Sequence, residues 1–165
     1  MALHYMKLGQ ISSDLHIQYY SLHDILQDVL KKQATFFIHK KLTLQLDDID
    51  LKVLTDEKWL SFVLEQILSN ALKYTKTGGI HIYVKDEVLY IEDTGIGIKA
   101  EDLPRIFEKG FTGYNGRVDK KASGLGLYLC ARILKYLGHP ISMESSQGKG
   151  TTVKIDFHVQ DLQVE

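Results

Sequence analysis

Ile91-Glu92-Asp93-Thr94-Gly95-Ile96-Gly97-Ile98 is the stretch on which the reading of this chain turns. It completes Glu87-Val88-Leu89-Tyr90-Ile91, an apolar run of strand length. The run ends on a carboxylate, Asp93, and then on two glycines spaced as Gly-x-Gly. A carboxylate at a strand's end points across the edge of its sheet. The glycines permit a sharp backbone turn and let a flat ligand approach without meeting a Cβ. Alone, the segment reads sooner as an ordinary turn, because Asp-Thr-Gly is good turn chemistry. The choice between turn and site rests on three further stretches at matching distances on either side.

The first lies upstream, in Glu65-Gln66-Ile67-Leu68-Ser69-Asn70-Ala71-Leu72-Lys73-Tyr74-Thr75. Asp56 opens this helix, whose apolar positions include Trp59, Phe62, Val63, Ile67 and Leu68, and Gly78-Gly79 closes it. Gln66, Asn70 and Lys73 stand at i, i+4 and i+7 and share a face. An amide and an amine on one stripe can serve Mg²⁺ and phosphate oxygens; a solvated polar face is the alternative.

The second and third lie downstream. From about Asp102 to Ser123 the periodicity breaks down around Gly113-Tyr114-Asn115-Gly116-Arg117-Val118-Asp119-Lys120-Lys121. An irregular stretch of that length inside a compact domain is a functional lid or a disordered loop. Ser123-Gly124-Leu125-Gly126-Leu127-Tyr128 then opens a helix running to Leu137, stopped by Gly138-His139-Pro140. Free N–H groups at such a helix start, with the positive end of the dipole, favour phosphate. It is neither a Walker A loop nor a full dinucleotide fingerprint.

The remaining segments read as follows. Residues 16 to 22 form a short strand, and Ser21 opens a helix with Leu22, Ile25, Leu26, Val29 and Leu30 as its apolar stripe. Lys41 to Leu46 and Asp50 to Thr55 alternate as two strands joined by an Asp47-Asp48 turn. Ile80 to Lys85 and Val88 to Glu92 follow as strands. Ile141 to Glu144 and Thr151 to Phe157 close as a hairpin around Gln147-Gly148-Lys149-Gly150. The expected architecture is α+β, a mixed sheet with helices on one face.

In order and spacing, Asn70 in its helix, Asp93-x-Gly95-x-Gly97, Phe107-Glu108-Lys109-Gly110-Phe111 and Gly124-Leu125-Gly126-Leu127 resemble the N, G1, F and G2 boxes of sensor histidine kinases. Gly148-Lys149-Gly150-Thr151-Thr152 is similar to that family's closing Gly-x-Gly-Thr. The resemblance covers about residues 16 to 158 and implies the fold shared by gyrase, the Hsp90 chaperones, histidine kinases and the MutL proteins. That is a two-layer α/β sandwich, its sheet mostly antiparallel, with a mobile ATP lid. Glu65 to Thr75 looks like the subgroup whose sensors respond to bacitracin and other antimicrobial peptides.

The resemblance also implies roles. ATP and Mg²⁺ are the implied ligands, with Asn70 holding the metal through its amide oxygen and Lys73 reaching a phosphate. Tyr74 lies along the adenine, Asp93 accepts from its amino group, and Gly95, Gly97 and Ile98 admit the base edge. Phe107 and Phe111 anchor the lid, expected to be mobile over Lys109 to Ala122 without nucleotide. Gly124, Leu125, Gly126 and Leu127 present N–H groups to phosphates, and Thr151 or Thr152 supports Asp93 through water. For Lys109, Arg117, Lys120 and Lys121 a solvated loop charge is the expected role. Gln66 departs from the pattern: relatives that hydrolyse ATP carry there a glutamate that activates water, and an amide cannot act as general base. Glu65 faces about 100° away on the helix. Phosphoryl transfer is therefore favoured over hydrolysis.

A histidine kinase also needs an acceptor histidine in a His-Glu/Asp box followed by a proline. Of His4, His16, His23, His39, His81, His139 and His158, only His23 precedes an acid, Asp24, and no proline follows at the expected distance. The acceptor is thus expected upstream. Leu3 to Leu8 reads as the end of its second helix, residues 1 to 15 as helix end and linker, 16 to 158 as the catalytic domain and 159 to 165 as a tail. A clamp-type ATPase, a non-catalytic nucleotide module and an anti-sigma-type serine kinase are the rival readings.

Bulk properties agree. A 165-residue chain is one domain, or one domain with a tail, and buries roughly two-thirds of its unfolded surface. A net charge of −1 argues against a nucleic-acid partner. The single Cys130 excludes an internal disulfide, fits a reducing compartment and falls in an apolar helix pattern as a buried thiol. No run of about 18 apolar residues exists, and no signal peptide. The implied setting is the cytoplasmic part of a bacterial membrane protein. Its implied partners are its own upstream dimerisation and phosphoacceptor domain, a response regulator and a peptide-sensing ABC transporter, with homodimerisation in the full-length protein.

Overall fold

The computed structural model describes residues 15–111 and 126–159. The stretches read as Leu3 to Leu8, most of the lid, Gly124, Leu125 and nearly all of the tail lie outside the described residues.

Seven strands and three α-helices alternate along the described chain. The order is β1 (Ile17–Ser21), α1 (Leu22–Lys40), β2 (Thr43–Leu46), β3 (Lys52–Asp56), α2 (Glu57–Tyr74), β4 (Gly79–Lys85), β5 (Val88–Asp93), a 3-10 turn (Leu103–Arg105), α3 (Gly126–Leu137), β6 (Ile141–Ser146) and β7 (Gly150–Asp156). β1 and β3 pair antiparallel as a two-stranded ribbon, and a five-stranded sheet runs β2-β4-β5-β7-β6. Every pairing in that sheet is antiparallel except β2 with β4.

Local chemistry sets the helix starts. Ser21 caps α1 by accepting the Asp24 N–H at 3.2 Å, and Asp56 caps α2 by accepting the Trp59 N–H at 2.9 Å. Buried Asp56 also accepts the His16 N–H through Oδ2 at 2.7 Å, tying the incoming chain to the start of α2. α1 ends where Lys41 turns left-handed and its N–H bonds Ile38 O, which delays β2 to Thr43.

The core lies between the helices and one face of the sheet. α1 contributes Leu22, Ile25, Leu26, Val29 and Leu30, the stripe expected of it, and the strands contribute Ile80, Ile82, Leu89, Ile91, Val153 and Ile155. α3 buries Leu129, Cys130, Ile133 and Leu134. Burial pushes the Cys130 thiol upward and leaves it un-ionised beside Val63 O.

One expectation fails. Asp47-Asp48 does not join a hairpin, because β2 and β3 belong to different sheets. Asp47 prolongs the β2 pairing instead: its N–H bonds Ile82 O at 3.0 Å, and its carboxylate takes the His81 ring at 2.9 Å. The connection to β3 then buries Ile49 before the chain pairs with β1.

Candidate functional site

The end of β5 and the last turn of α2 meet at Asp93, and the start of α3 lies beside Gln66 on α2. In β5, Leu89 and Ile91 face the helices, and the strand period of two places Asp93 on that same apolar side. Its Oδ1 accepts the Gly95 N–H at 2.8 Å and the Thr151 N–H at 3.2 Å. Burial raises the Asp93 carboxyl above the ordinary range, and the two N–H groups oppose that shift. Among the described residues Oδ2 accepts no bond.

The glycines are held by the chain itself. A Cβ on Gly95 would stand 2.6 Å from Tyr74 O, 2.8 Å from Asp93 Oδ1 and 2.9 Å from Thr75 Oγ1. Gly97 has φ +76 and packs on Ser146, whose carbonyl would meet a Cβ at 2.1 Å. The Gly-x-Gly spacing is therefore accounted for by close backbone approach within the protein, before any ligand is considered. The loop is pinned by Ile96 N–H to Tyr74 O at 3.0 Å, Gly148 N–H to Ile96 O at 2.7 Å and Ile98 N–H to Ser145 Oγ at 2.8 Å. Thr94 Oγ1 accepts the Gly79 N–H at 3.0 Å and donates to Thr77 O at 2.8 Å.

On α2, Asn70 is half-buried and Lys73 exposed, the Lys73 ammonium lying 5.5 Å from the centre of the Tyr74 ring. Burial raises the Tyr74 hydroxyl. Gln66, one turn earlier, reaches the beginning of α3, where its Oε1 would lie 3.2 Å from a Cβ on Gly126. α2 thus touches the start of α3 at Gln66 and the Asp93 loop at Tyr74 and Thr75. Leu127 follows half-buried in the first turn of α3. Phe107 and Phe111 are half-buried, with the Arg105 guanidinium 4.4 Å from the Phe111 ring centre. The Lys109 ammonium lies 5.9 Å from the Tyr128 ring centre on α3.

The register separates the two threonines. Thr151 donates its backbone N–H to Asp93 at 3.2 Å. Thr152 does not share that position, because it pairs with Glu92 and its side chain alternates to the opposite face. Sequence reasoning also missed two hydroxyls. Ser145 accepts from Ile98 and bonds Gly150 O and Thr151 Oγ1. Thr75, fully buried beside Asp93, has no bond to its Oγ1 among the described residues. Neither belongs to a spaced motif; the only signal for Thr75 was its place just past the Asn70 helix.

These are the features of a nucleotide-binding α/β sandwich, and the pattern defining the histidine kinase-, DNA gyrase B- and HSP90-like ATPases matches residues 55–161. The chain belongs to that ATPase family. It is 38% identical to the sensor protein BceS of Halalkalibacterium halodurans over 94% of its own length and 48% of the relative's. It is also 38% identical to the sensor protein kinase GraS of Staphylococcus aureus, over 99% of its length and 49% of the relative's. The chain therefore spans about half the length of these curated relatives. Its fold matches that of full-length ShkA, crystallised with AMPPNP, with a TM-score of 0.76 at 22% identity, covering 98% of this chain and 36% of that one. Among the described residues no helix is long and apolar enough to cross a membrane.

Proposed function

We propose that this chain is the catalytic domain of a sensor histidine kinase, binding Mg-ATP between α2, the Asp93 loop and the start of α3. The observation that carries the reading is Asp93. A carboxylate on the apolar side of a sheet costs desolvation free energy, and only a ligand that needs a charged acceptor there repays it. With Oδ1 saturated by Gly95 and Thr151, Oδ2 accepts the exocyclic amino group of adenine.

Asn70 and Lys73, on the α2 face that leads to the start of α3, then meet the phosphates. Among the described residues no three His, Cys, Asp or Glu side chains could cage a metal. One amide oxygen plus phosphate oxygens and water suits Mg²⁺, which keeps most of its waters. When bound, the ion neutralises phosphate charge. The N–H groups from Gly126 and Leu127 and the Lys73 ammonium orient the terminal phosphate, and Gln66 offers no base to a competing water. Positioning and charge neutralisation supply the catalysis of phosphoryl transfer. The acceptor is a histidine on a helical hairpin upstream, and the phosphoryl group passes on to a response regulator. Residues 1 to 15 are the end of that hairpin and its linker. The full-length protein is a homodimeric bacterial membrane sensor of the antimicrobial-peptide type, working with a peptide-sensing ABC transporter.

Calorimetric titration with Mg-ATP tests this. A saturable isotherm on a flat baseline is expected, and Asp93→Asn weakens binding by about 1 to 3 kcal/mol. Because it removes a buried charge, the same substitution leaves the melting temperature unchanged or raised. Sustained heat after each injection means hydrolysis and a clamp-type ATPase. Equal affinities for the two proteins sink the adenine pocket.

A further inference from the structure

α2 ends abruptly. Thr75, the residue after its last turn, is extended at φ −106 and ψ 114, so no left-handed turn folds back over the carbonyls of Leu72, Lys73 and Tyr74. Tyr74 O is met by the Ile96 N–H of the Asp93 loop at 3.0 Å. The other two are met from a different helix. Lys40, the last residue of α1, sends its ammonium across to Leu72 O and, at 3.4 Å, to Lys73 O.

A second lysine of α1 provides the contrast. Lys32, two turns earlier, also reaches α2, where it pairs with Glu65 at 3.1 Å. Its side chain is 66% exposed, and an exposed ion pair between two flexible side chains fixes little. Lys40 is half-buried and bonds backbone instead of a side chain. A cation on the last carbonyls of a helix satisfies orphaned acceptors and offsets the negative end of the dipole. The turn that Lys40 holds carries Lys73 and Tyr74, one turn after Asn70. We propose that Lys40 is a positioning residue of the nucleotide site, bracing the last turn of α2 from α1 so that Lys73 and Tyr74 are set before a nucleotide binds. The proposal rests on the Mg-ATP reading above. Lys40 acts through the two carbonyls and not on the ligand. Without its ammonium the turn frays, and ordering it again subtracts from the free energy of binding.

The test titrates Mg-ATP into the whole 165-residue chain and follows amide exchange alongside. Lys40→Met keeps the length of the side chain and removes its charge and donors, and Lys40→Arg keeps both. Lys32→Met removes a charge from the same helix at its exposed contact. Lys40→Met is expected to lose roughly three- to tenfold in ATP affinity. Exchange of the Ile96 amide, whose acceptor is Tyr74 O, quickens, while amides in the middle of α2 such as Leu64 and Ile67 keep the parent rate. Saturating Mg-ATP restores the slow exchange. Lys40→Arg recovers both affinity and slow exchange, and Lys32→Met matches the parent in both. Unchanged affinity in Lys40→Met overturns the proposal. So does quickened exchange along the whole of α2, which marks a general loss of stability. An equal loss in Lys32→Met overturns it too, because net charge then explains the effect. Asp93→Asn run in parallel separates the two levels. If it weakens ATP binding while Lys40→Met does not, Lys40 alone is misassigned; if neither does, the nucleotide site itself falls.

Discussion

On the helix side of the five-stranded sheet, Ile80, Ile82, Leu89, Ile91, Val153 and Ile155 are all buried. On the other side the same strands present His81, Tyr83, Tyr90, Glu92, Thr152 and Lys154. The outer face looks richer in chemistry. Tyr83 stacks on Tyr90 with ring centres 4.8 Å apart, the Tyr83 hydroxyl donates to Glu92, and Lys154 pairs with Glu144 at 2.9 Å. Its groups nevertheless satisfy one another across neighbouring strands, which is how a half-exposed sheet face stabilises itself. The inner face is nearly all hydrocarbon, and its few polar groups cluster at one end around Asp93. An unspent acceptor in an apolar layer marks a site better than a dense but self-satisfied polar cluster does.

The contrast can be broken by substitution. Ile91→Ala on the inner face should cost roughly 3 to 4 kcal/mol of unfolding free energy, and Tyr90→Ala, its neighbour on the outer face, about 1. Denaturant titration of both decides; equal losses would erase the distinction between the faces.

His139 sharpens the comparison, because it is a buried polar group on the core side that has found its partner. Its ring bonds Thr55 Oγ1 at 2.9 Å and packs on Phe157 with centres 4.7 Å apart. Burial pushes its pKa down to about 4. In the unfolded chain it takes a proton near pH 6.5, which the folded protein refuses until about pH 4. Stability should therefore be full above pH 6.5 and fall as the pH drops towards 4, by as much as about 3 kcal/mol. Denaturant titrations at pH 7, 5.5 and 4 should show this slope in the parent and a flatter one in His139→Gln. Nucleotide binding by that variant at pH 7 should match the parent.

The smallest effect is expected outside. The bond to Glu92 pushes the Tyr83 hydroxyl up to about 12. Spectrophotometric titration should find one tyrosine ionising late, and Tyr83→Phe should remove it while changing stability by under about 1 kcal/mol.

The parts legible in the sequence were those written locally. Ser21 and Asp56 read as helix starts and are side-chain caps, and the α1 stripe packs as its spacing required. Asp93 and its glycines stood out because strand, carboxylate and turn follow one another directly. Strand partners were not legible: alternation tells which residues share a face, not which strand lies alongside, so β2 was joined to β3 when it pairs with β4. The same ignorance of register left Thr151 and Thr152 equivalent until the pairing of Asp93 with Thr151 separated them. Thr75 and Ser145 stand in no spaced motif, since a single hydroxyl carries no period and acquires meaning only from what folding brings beside it.

Asp56 has a mechanical consequence. One oxygen holds the backbone at His16 and the other holds the first turn of α2, so the chain arriving from upstream is riveted to the helix that carries Asn70. From Glu57 through Asn70 run fourteen residues of unbroken helix, a strut of about 21 Å. Loss of that one carboxylate would free both attachments together.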